Sequence, residues 1–405
     1  MSISHWRRTQ SRGVLDADLL IIGAGVCGLS AAIHAKAAGL RVVIVERHFL
    51  GSGASSRNAG FLMRGAAENY AVACRVHGAR LAYQLWRWTE ENLALLRELG
   101  VESLPGYRRI PSVLAALEPG EKAQLIESKL LMERAGFNVA WIDCGDDAFW
   151  RHAKPLGGLV NPEDASCNPV EVLAMLRGHA ACDVLEGQEA TAFGVRDDLV
   201  EIVTTDAIVR APRVLLSTNA YAGLLAPGLG ELVVPRRGQM IAFAPSGARL
   251  DASYYANEGY EYFRQAADGT IVVGGCRKAH AERESGYGDG PTPWVQRDIE
   301  RFAREKLALT GEVLARWAGT MGFSPDGVPM IGPVPPAMLR VTESDGLAAL
   351  AGRVWFCGGF TGHGMSLACR CAKEAVEAML ASRTPAFPLA RFSDAPARSP
   401  AALGV

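Results

Sequence analysis

The sequence predicts an α/β fold with two domains, on the basis of chain length and of two strand–glycine–helix patterns. The 405 residues exceed what one minimal domain needs and suit two. Hydrophobic residues make up 49% of the chain and charged residues 21%, which is typical of a globular protein with a sizeable core. One pattern opens the chain and a similar one closes it, so we expect one domain to be built from both ends.

The opening pattern, residues 18–46, has the order of a dinucleotide-binding βαβ unit. Short apolar runs predict two buried parallel strands with a helix between them. Gly23, Gly25 and Gly28 follow the first strand with the spacing G-x-G-x-x-G, and Glu46 ends the second strand. The predicted strands are 18–22 and 41–45, and the predicted helix is 29–38. This order and spacing predict a Rossmann-like domain.

The residue types in this unit suit a bound dinucleotide. Gly23 permits the tight turn, Gly25 lets the backbone approach a pyrophosphate, and Gly28 lets the helix pack on the strand. Free N–H groups at the helix N-terminus favour the phosphates, and Glu46 can accept hydrogen bonds from both ribose hydroxyls, which favours FAD or NAD over NADP. We assign cofactor binding here to Gly23, Ala24, Gly25, Val26, Cys27, Gly28, Glu46 and Arg47.

The middle of the chain predicts a second domain with a mixed sheet and flanking helices. Residues 51–65 lack a hydrophobic period and predict a loop, whereas Asp268-Gly269 predicts a hairpin turn. The predicted helices are 80–99, 119–135, 170–181 and 293–309. The predicted strands are 183–185, 190–195, 200–204, 214–217, 238–243, 260–265 and 270–274.

The closing pattern is a strand at 354–357, a glycine-rich loop at 358–364 and a helix at 365–380. We therefore expect a discontinuous cofactor-binding domain and a substrate domain, with loose tails at both ends. The cofactor-binding domain comprises 15–80, 150–232 and 333–385; the substrate domain comprises 81–149 and 233–332; the tails are 1–14 and 386–405.

Charge and cysteine content exclude several classes of function. The net charge of −1 argues against nucleic acid as a partner. The nine cysteines are scattered without a Cys-x-x-Cys pair, so we expect neither a disulfide framework nor a metal site, and we predict a reducing, cytoplasmic location. No membrane span is predicted, and the sequence leaves the oligomeric state open.

Residues 53–61 follow the second strand with small hydroxyl residues and glycines, which suit either a cofactor-lining segment or a flexible surface loop. The run Ser55-Ser56-Arg57-Asn58-Ala59-Gly60, the run W-A-G-T-M-G-F-S-P-D-G-V-P-M-I-G at 317–332 and the run G-G-F-T-G-H-G-M at 358–365 stand in this order. With the opening unit, they resemble the D-amino-acid oxidase superfamily over nearly the whole chain. The pattern G-F-S-x-D-G-x-P-x-I-G at 322–332 and the run Tyr262-Phe263-Arg264 are most similar to the gamma-glutamylputrescine oxidase branch, near the glycine oxidase and sarcosine oxidase branches.

This resemblance implies FAD as the cofactor, a two-domain fold and oxidation of a carbon–nitrogen bond. It extends the cofactor-binding assignment to residues in the second loop, in the middle of the chain and in the closing loop. These residues are Gly53, Ala54, Ser55, Ser56, Arg57, Asn58, Ala59, Gly60, Phe61, Ala190, Thr218, Asn219, Gly332, Gly359, Phe360, Thr361, Gly362, His363, Gly364 and Met365.

Two positions depart from the family's patterns. Met321 stands where an arginine binds the substrate carboxylate in the glycine oxidase pattern, and a thioether cannot make that bidentate contact. We therefore expect an amine substrate without an obligatory α-carboxylate. Gly319 stands where the sarcosine oxidase pattern has a cysteine bonded to the flavin, so we expect FAD to be bound non-covalently, with Cys357 and Cys276 as packing residues.

Candidate catalytic residues are Met321, His363, Tyr262 and Lys278. His363 could stabilise the reduced cofactor electrostatically or be structural. The aromatic stretch around Tyr262, which includes Tyr254, Tyr255, Tyr260 and Phe263, could cage an amine or belong to the core. Lys278 lies near the lysine by which sarcosine oxidases promote the reaction with O2, or is a surface lysine. Arg264 could bind a distal carboxylate or cap the hairpin.

The sequence thus predicts an oxidase that takes a hydride from the α-carbon of a small amine to flavin N5. The imine product hydrolyses, and O2 reoxidises the flavin and yields H2O2. An amino-acid oxidase, or a dehydrogenase that passes electrons to a quinone or another acceptor, is the alternative enzyme. A flavin-binding protein without turnover is the alternative from another class.

Overall fold

The computed structural model describes residues 13–341 and 344–392. The strands are β1 Gly13–Asp16, β2 Leu19–Ile22, β3 Val42–Val45, β4 Phe61–Leu62, β5 Arg108–Arg109, β6 Ser112–Ala116, β7 Ala140–Ile142, β8 Gly157–Asn161, β9 Ala165–Ser166, β10 Asp183–Leu185, β11 Ala192–Arg196, β12 Leu199–Val203, β13 Ala207–Ala211, β14 Val214–Leu216, β15 Val234–Phe243, β16 Ser253–Ala256, β17 Glu261–Gln265, β18 Ile271–Gly275, β19 Val313–Phe323, β20 Met330–Pro333 and β21 Val354–Gly358.

The α-helices are α1 Val26–Ala37, α2 Ala54–Arg57, α3 Tyr70–His77, α4 Ala79–Glu98, α5 Pro119–Arg134, α6 Ala148–Ala153, α7 Pro169–Ala180, α8 Ala222–Leu225, α9 Pro227–Gly230, α10 Pro293–Lys306 and α11 Gly364–Leu380. Short 3-10 turns connect several of these elements. In the part of the chain that the structure describes, no helix is both long and apolar enough to span a bilayer.

A six-stranded sheet carries the dinucleotide-binding pattern. Its strand order is β10-β3-β2-β14-β21-β20, and the pairs are parallel except for β20 with β21. Every residue of β2 and β3 is buried, because helices α1 and α11 cover one face and a four-stranded sheet of order β1-β13-β12-β11 lies against the other. Both ends of the chain therefore build this layer, as the sequence predicts.

The second large sheet of the fold is mixed and has eight strands. Its order is β19-β15-β18-β17-β16-β6-β8-β7, and β16 and β6 pair in parallel within otherwise antiparallel neighbours. Helices α10 and α6 pack on one face through a core that contains Phe149, Phe243 and Phe263. A small sheet of order β4-β9-β5 lies beside it. The α/β class and the mixed second sheet are confirmed.

Several boundaries differ from the sequence expectations, because long-range pairing decides them. β1 pairs with β13 in parallel, although 1–14 is a predicted tail. The loop predicted at 51–65 contains α2 and β4. β8 pairs with β6 in the eight-stranded sheet, although 150–232 is assigned to the cofactor-binding domain.

The chain end differs from its prediction as well. Phe387 and Leu389 are buried in the core, and Ile331 N–H donates to the Phe387 carbonyl at 2.9 Å, although 386–405 is a predicted tail. Residues 1–12 and 393–405 of the two predicted tails lie outside the described residues. The division into two domains stays a proposal, with the six-stranded and eight-stranded sheets as their centres.

Candidate active site

A cavity of about 580 Å³ lies between the two large sheets, at the carboxyl ends of β2, β3 and β14. Ligands bind at this edge in open parallel sheets. Its lining includes Glu46 as well as Tyr255 and Tyr262. The cavity thus joins the predicted dinucleotide unit to the predicted aromatic stretch.

The glycine turn after β2 is packed so tightly that a side chain on any of its glycines would clash with neighbouring atoms. An ideal Cβ on Gly28 would lie 1.9 Å from the Gly23 carbonyl oxygen, and one on Gly25 would lie 2.7 Å from Ser55 Oγ. Gly23 has a φ of 108°, and its carbonyl accepts a hydrogen bond from Ser217 Oγ at 3.0 Å. Gly28 therefore permits helix α1 to approach the turn, while Gly23 and Gly25 line the cavity.

Glu46 lies at the end of β3 with its carboxylate beside this turn. Its Oε2 accepts from Ala24 N–H at 2.9 Å, and its Oε1 accepts from His48 N–H at 3.0 Å. The side chain lines the cavity. Arg47 also lines it, with its guanidinium 4.5 Å from the ring centroid of Tyr221. The acidic end of strand β3 is thus held where the βαβ pattern predicts.

The second predicted loop is ordered rather than flexible. Ser55 Oγ accepts from Val26 N–H at 3.1 Å, which ties α2 to the start of α1. The Ser56 hydroxyl donates to the Gly51 carbonyl at 2.7 Å and faces away from the cavity. The Asn58 amide donates to the Ser55 carbonyl at 2.8 Å. The loop residues that line the cavity are Gly53, Ala54, Ser55, Arg57, Asn58, Ala59, Gly60 and Phe61.

The closing loop meets the same cavity at the carboxyl end of β21, which is parallel to β14. Asn219 Oδ1 accepts from Gly359 N–H at 2.9 Å, and Thr361 N–H donates to the Gly322 carbonyl at 2.9 Å. Ala190, Thr218, Asn219, Phe360, Thr361, Gly362, His363, Gly364 and Met365 line the cavity. Tertiary structure thus joins residues from four distant segments, as the resemblance implies.

Six of the predicted site residues lie outside the cavity lining. Of these, Ala24, Gly28, Gly332 and Gly359 are buried, Ser56 is half-buried and Lys278 is exposed. The Lys278 ammonium pairs with Glu258 at 2.7 Å, and this hydrogen bond raises the pKa of Lys278. A role for Lys278 beside the cofactor therefore has no support in its position.

The aromatic stretch is divided between two faces by strand alternation. Tyr254 and Phe263 are buried in the core of the eight-stranded sheet, where the Tyr254 hydroxyl donates to Asp147 at 2.6 Å. Tyr255 and Tyr262 point to the cavity, with ring centroids 5.8 Å apart. The ring of His363 lies 6.2 Å from that of Tyr255. Tyr255, Tyr262 and His363 form what we call the aromatic wall.

The aromatic wall is uncharged at neutral pH. Burial raises the pKa of Tyr262 to about 12 and raises the pKa of Tyr255 as well. Burial lowers the pKa of His363 below its ordinary value. His363 Nδ1–H donates to the Thr361 carbonyl at 3.1 Å, since a carbonyl can only accept, and Nε2 is then left without a proton.

Met321 lies beside the aromatic wall, on strand β19. A Cβ on Gly238 would lie 2.9 Å from Met321 Cε and 3.4 Å from the Tyr262 hydroxyl, so the three residues meet. Gly319 also lines the cavity, where a Cβ would lie 2.9 Å from that of Arg57. Cys357 is buried behind the cavity and accepts through its carbonyl from Cys27 Sγ at 3.8 Å.

Arg264 is neither a surface cap nor a part of the cavity lining. Its guanidinium is buried and donates to the Cys167 carbonyl at 2.6 Å and to the Ala59 carbonyl. It therefore holds the loop that contains Ala59 against strand β17. Sequence reasoning missed this role, because both partners are backbone atoms from distant segments.

Sequence reasoning also missed Arg277, which lines the cavity next to the aromatic wall. The signal was the basic pair Arg277-Lys278 after the hairpin. The sequence favoured Lys278 of this pair, and the neighbouring residue proves to face the cavity. Met240 and Leu114 add apolar lining that carries no recognisable motif.

The residues present fit a dinucleotide cofactor. Within the described residues, the buried hydroxyls of Thr218 and Thr320 make no hydrogen bond, and both residues line the cavity. Buried hydroxyls usually find a partner, so these two are suited to polar atoms of a bound molecule. Together with Glu46 and the glycine turn, they supply donors and acceptors along the length of the cavity.

The fold and the cavity define a dinucleotide-dependent oxidoreductase. The family model described as FAD dependent oxidoreductase matches residues 18–378. The chain belongs to this family, and its cofactor is FAD. The D-amino-acid oxidase resemblance is confirmed.

Known relatives agree with this placement. Glycine oxidase of Pseudomonas aeruginosa is 29% identical over 78% of this chain and 86% of its own length. Gamma-glutamylputrescine oxidoreductase of Escherichia coli is 24% identical over 87% of this chain and 81% of its own. The crystal structure of glycine oxidase from Geobacillus kaustophilus superposes with a TM-score of 0.72 at 20% identity, over 93% of this chain and 98% of that one. The last comparison shows the shared fold.

Proposed function

We propose that this enzyme oxidises the carbon–nitrogen bond of an amine to an imine, with O2 as the electron acceptor. The observation that supports it is the uncharged aromatic wall, which lines the cavity together with Met321. Two relatives, glycine oxidase and gamma-glutamylputrescine oxidoreductase, are named as enzymes that act on amino compounds.

The residues of the wall would bind and orient the substrate. Tyr255 and Tyr262 provide two ring edges and faces that suit an alkylamine, and their neutral phenols do not compete for its proton. The unprotonated Nε2 of His363 can accept a hydrogen bond from the amine N–H and so orient the nitrogen of the substrate. Apolar neighbours such as Met240 exclude water from the reacting carbon.

Bound FAD would supply a two-electron acceptor for a hydride from the carbon next to nitrogen, and O2 would then take up two electrons and two protons as H2O2. The chain's own part is to hold the cofactor through the glycine turn, Glu46 and the closing loop. The amine loses a hydride and a proton, and water then cleaves the imine to a carbonyl compound and an amine or ammonia. This reaction needs positioning more than a strong base.

The experiment is an anaerobic absorbance titration of the FAD-loaded enzyme with primary amines, N-alkylamines, and α-amino acids. Loss of the oxidised flavin band with one of these classes supports C–N oxidation, and matched amides serve as the control. Oxygen uptake with H2O2 formation then supports O2 as acceptor, whereas reoxidation only by quinones or dyes would identify a dehydrogenase. A flavin that no amine or amino acid reduces would overturn the proposal. A cytoplasmic location stays a prediction.

A further inference from the structure

Arg277 presents a guanidinium to the cavity between two aromatic rings. It follows strand β18, and its Cζ lies 5.2 Å from the ring centroid of Tyr260 and 4.9 Å from that of Phe323. The residue is half-buried and lines the cavity beside Tyr262. The flanking rings hold the plane of the guanidinium and leave its N–H edge open.

This guanidinium has no counter-ion in the parts of the chain that the structure describes. It makes no hydrogen bond or ion pair there, while Arg237 pairs with Glu284 and Arg264 donates to backbone carbonyls. The groups that influence it are the phenols of Tyr260 and Tyr262 and the positive charge of Arg236. A partly desolvated charge without a partner is costly and is stabilised when an anion binds.

A carboxylate fits this position better than a phosphate does. Arginine binds a carboxylate through two parallel N–H···O bonds in one plane, which two flanking rings leave free. The nearby ammonium of Lys278 is already paired with Glu258, so a single positive charge is available. Glu68 and Glu258 both lie near Tyr260, and their carboxylates would repel a doubly charged anion more than a monoanion.

We propose that Arg277 binds a carboxylate of the substrate, so that the enzyme oxidises amines that carry a carboxylate group. The inference rests on the proposed amine oxidation and names its substrate class. It also changes the expectation drawn from Met321: the side chain on β19 cannot bind a carboxylate, but one that follows β18 can. The carboxylate belongs either to an α-amino acid or to a chain with a distal acid, and the test separates these two.

The binding test uses unreactive carboxylates, so it does not depend on turnover. Acetate, propanoate, butanoate and hexanoate, and the corresponding amides, are titrated into the FAD-loaded enzyme with calorimetry and the visible flavin spectrum as readouts. We expect the carboxylates to bind and the amides not to bind. Arg277→Met should weaken carboxylate binding about 10- to 100-fold. Arg277→Lys should weaken it less, because a lysine keeps the charge but not the bidentate geometry.

Arg236→Gln is the matched control, because it removes a neighbouring positive charge that does not line the cavity. It should bind carboxylates within about twofold of the wild type. FAD content and thermal midpoint are measured for every variant to show that each one folds. Equal binding by Arg277→Met and the wild type would overturn the inference, as would equal binding of amides and carboxylates.

Kinetics with oxidisable amines separate the two sources of the carboxylate. Glycine and N-methylglycine represent the α-acids, and 4-aminobutanoate and 4-(methylamino)butanoate represent the distal acids. Methylamine, dimethylamine, propylamine and N-methylpropylamine are their counterparts without a carboxylate. In the favoured series, Arg277→Met should raise KM at least tenfold with a smaller effect on kcat, and it should leave the kinetics of the amines without a carboxylate unchanged. If no amine reduces the flavin but Arg277-dependent carboxylate binding persists, the proposed function fails and the anion site stands. If amines react equally well with and without a carboxylate, the proposed function stands and the anion site fails.

Discussion

The guanidinium of Arg264 donates a hydrogen bond of 2.6 Å to the backbone carbonyl of Cys167. Arg264 lies on β17 of the eight-stranded sheet, and its second bond reaches the Ala59 carbonyl in the loop after β3. One side chain thus ties the aromatic wall's sheet to the segment that lines the cofactor cavity. An ideal Cβ on Gly60 would lie 2.1 Å from the same Cys167 carbonyl, so the loop has no room to shift.

Replacing Arg264 with methionine should therefore loosen this loop. The substitution leaves two buried carbonyl groups without donors, which costs about 2 kcal/mol of unfolding free energy. We expect FAD affinity to fall about tenfold as the loop loses its anchor, measured by fluorescence titration of the apoprotein. Arg249→Gln, at an exposed arginine, is the control and should change neither quantity. Unchanged FAD affinity in Arg264→Met would show that the loop does not depend on this bond.

Gly28→Ala should abolish FAD binding. The new methyl group would lie 1.9 Å from the Gly23 carbonyl oxygen, so helix α1 must move away from the turn. Overpacking against backbone costs about 3 kcal/mol, and the displaced helix N-terminus no longer supports the phosphates. Gly178→Ala in α7 has open space around its Cβ and should be neutral or stabilise the protein by about 1 kcal/mol. Full FAD occupancy in Gly28→Ala would contradict the packing argument.

His34 should make the folded protein less stable in mild acid. Its ring lies on α1, and desolvation, with smaller effects from Lys373 and Arg370, lowers the pKa of His34 to about 4. The unfolded chain, with an ordinary pKa of 6.5, therefore binds more protons between these two values. The stability present above pH 6.5 is lost progressively as the pH falls toward 4.

Denaturant unfolding at pH 7 and pH 5 checks this expectation. Between pH 7 and pH 5, the free energy of unfolding should fall by about 1 kcal/mol more in the wild type than in His34→Gln, a value reduced because the ring is partly exposed. In His152→Gln, at an exposed histidine of α6, the free energy of unfolding should fall as much as in the wild type. Identical losses in wild type and His34→Gln would refute the assignment.

FAD should be released intact by acid precipitation, because no covalent bond is expected. Cys27 is the cysteine that lines the cavity among the described residues, and its Sγ is directed to the Cys357 carbonyl at 3.8 Å. The hydrogen bond with Cys27 and burial raise the pKa of Cys357, which disfavours the reactive thiolate of Cys357. The supernatant should hold all of the flavin, and Cys27→Ser should retain FAD in the native enzyme. Yellow colour in the washed precipitate would contradict non-covalent binding.

Short-range patterns in the sequence were sufficient for part of this structure. The spacing of Gly23, Gly25 and Gly28 after an apolar strand predicts the turn without knowledge of its contacts, although Gly23 and Gly25 are packed against Ser217 and Ser55 from distant segments. The acidic end of strand β3, the closing glycine loop and the α/β class follow from the same short-range periodicity. The family motifs extended this local reading to the cofactor.

Tertiary structure decided which side chains face the substrate. The alternation of strands β16 and β17 sends Tyr255 and Tyr262 to the cavity and Tyr254 to the core, and the sequence does not state which face is covered. Packing after β18 likewise turns Arg277 inward and Lys278 to solvent, although the two residues are adjacent in sequence. Such choices depend on pairing and packing between segments distant in sequence. The glycine turn that holds the cofactor is therefore visible in the sequence alone. The residues that face the substrate depend on strand register and burial across the two sheets.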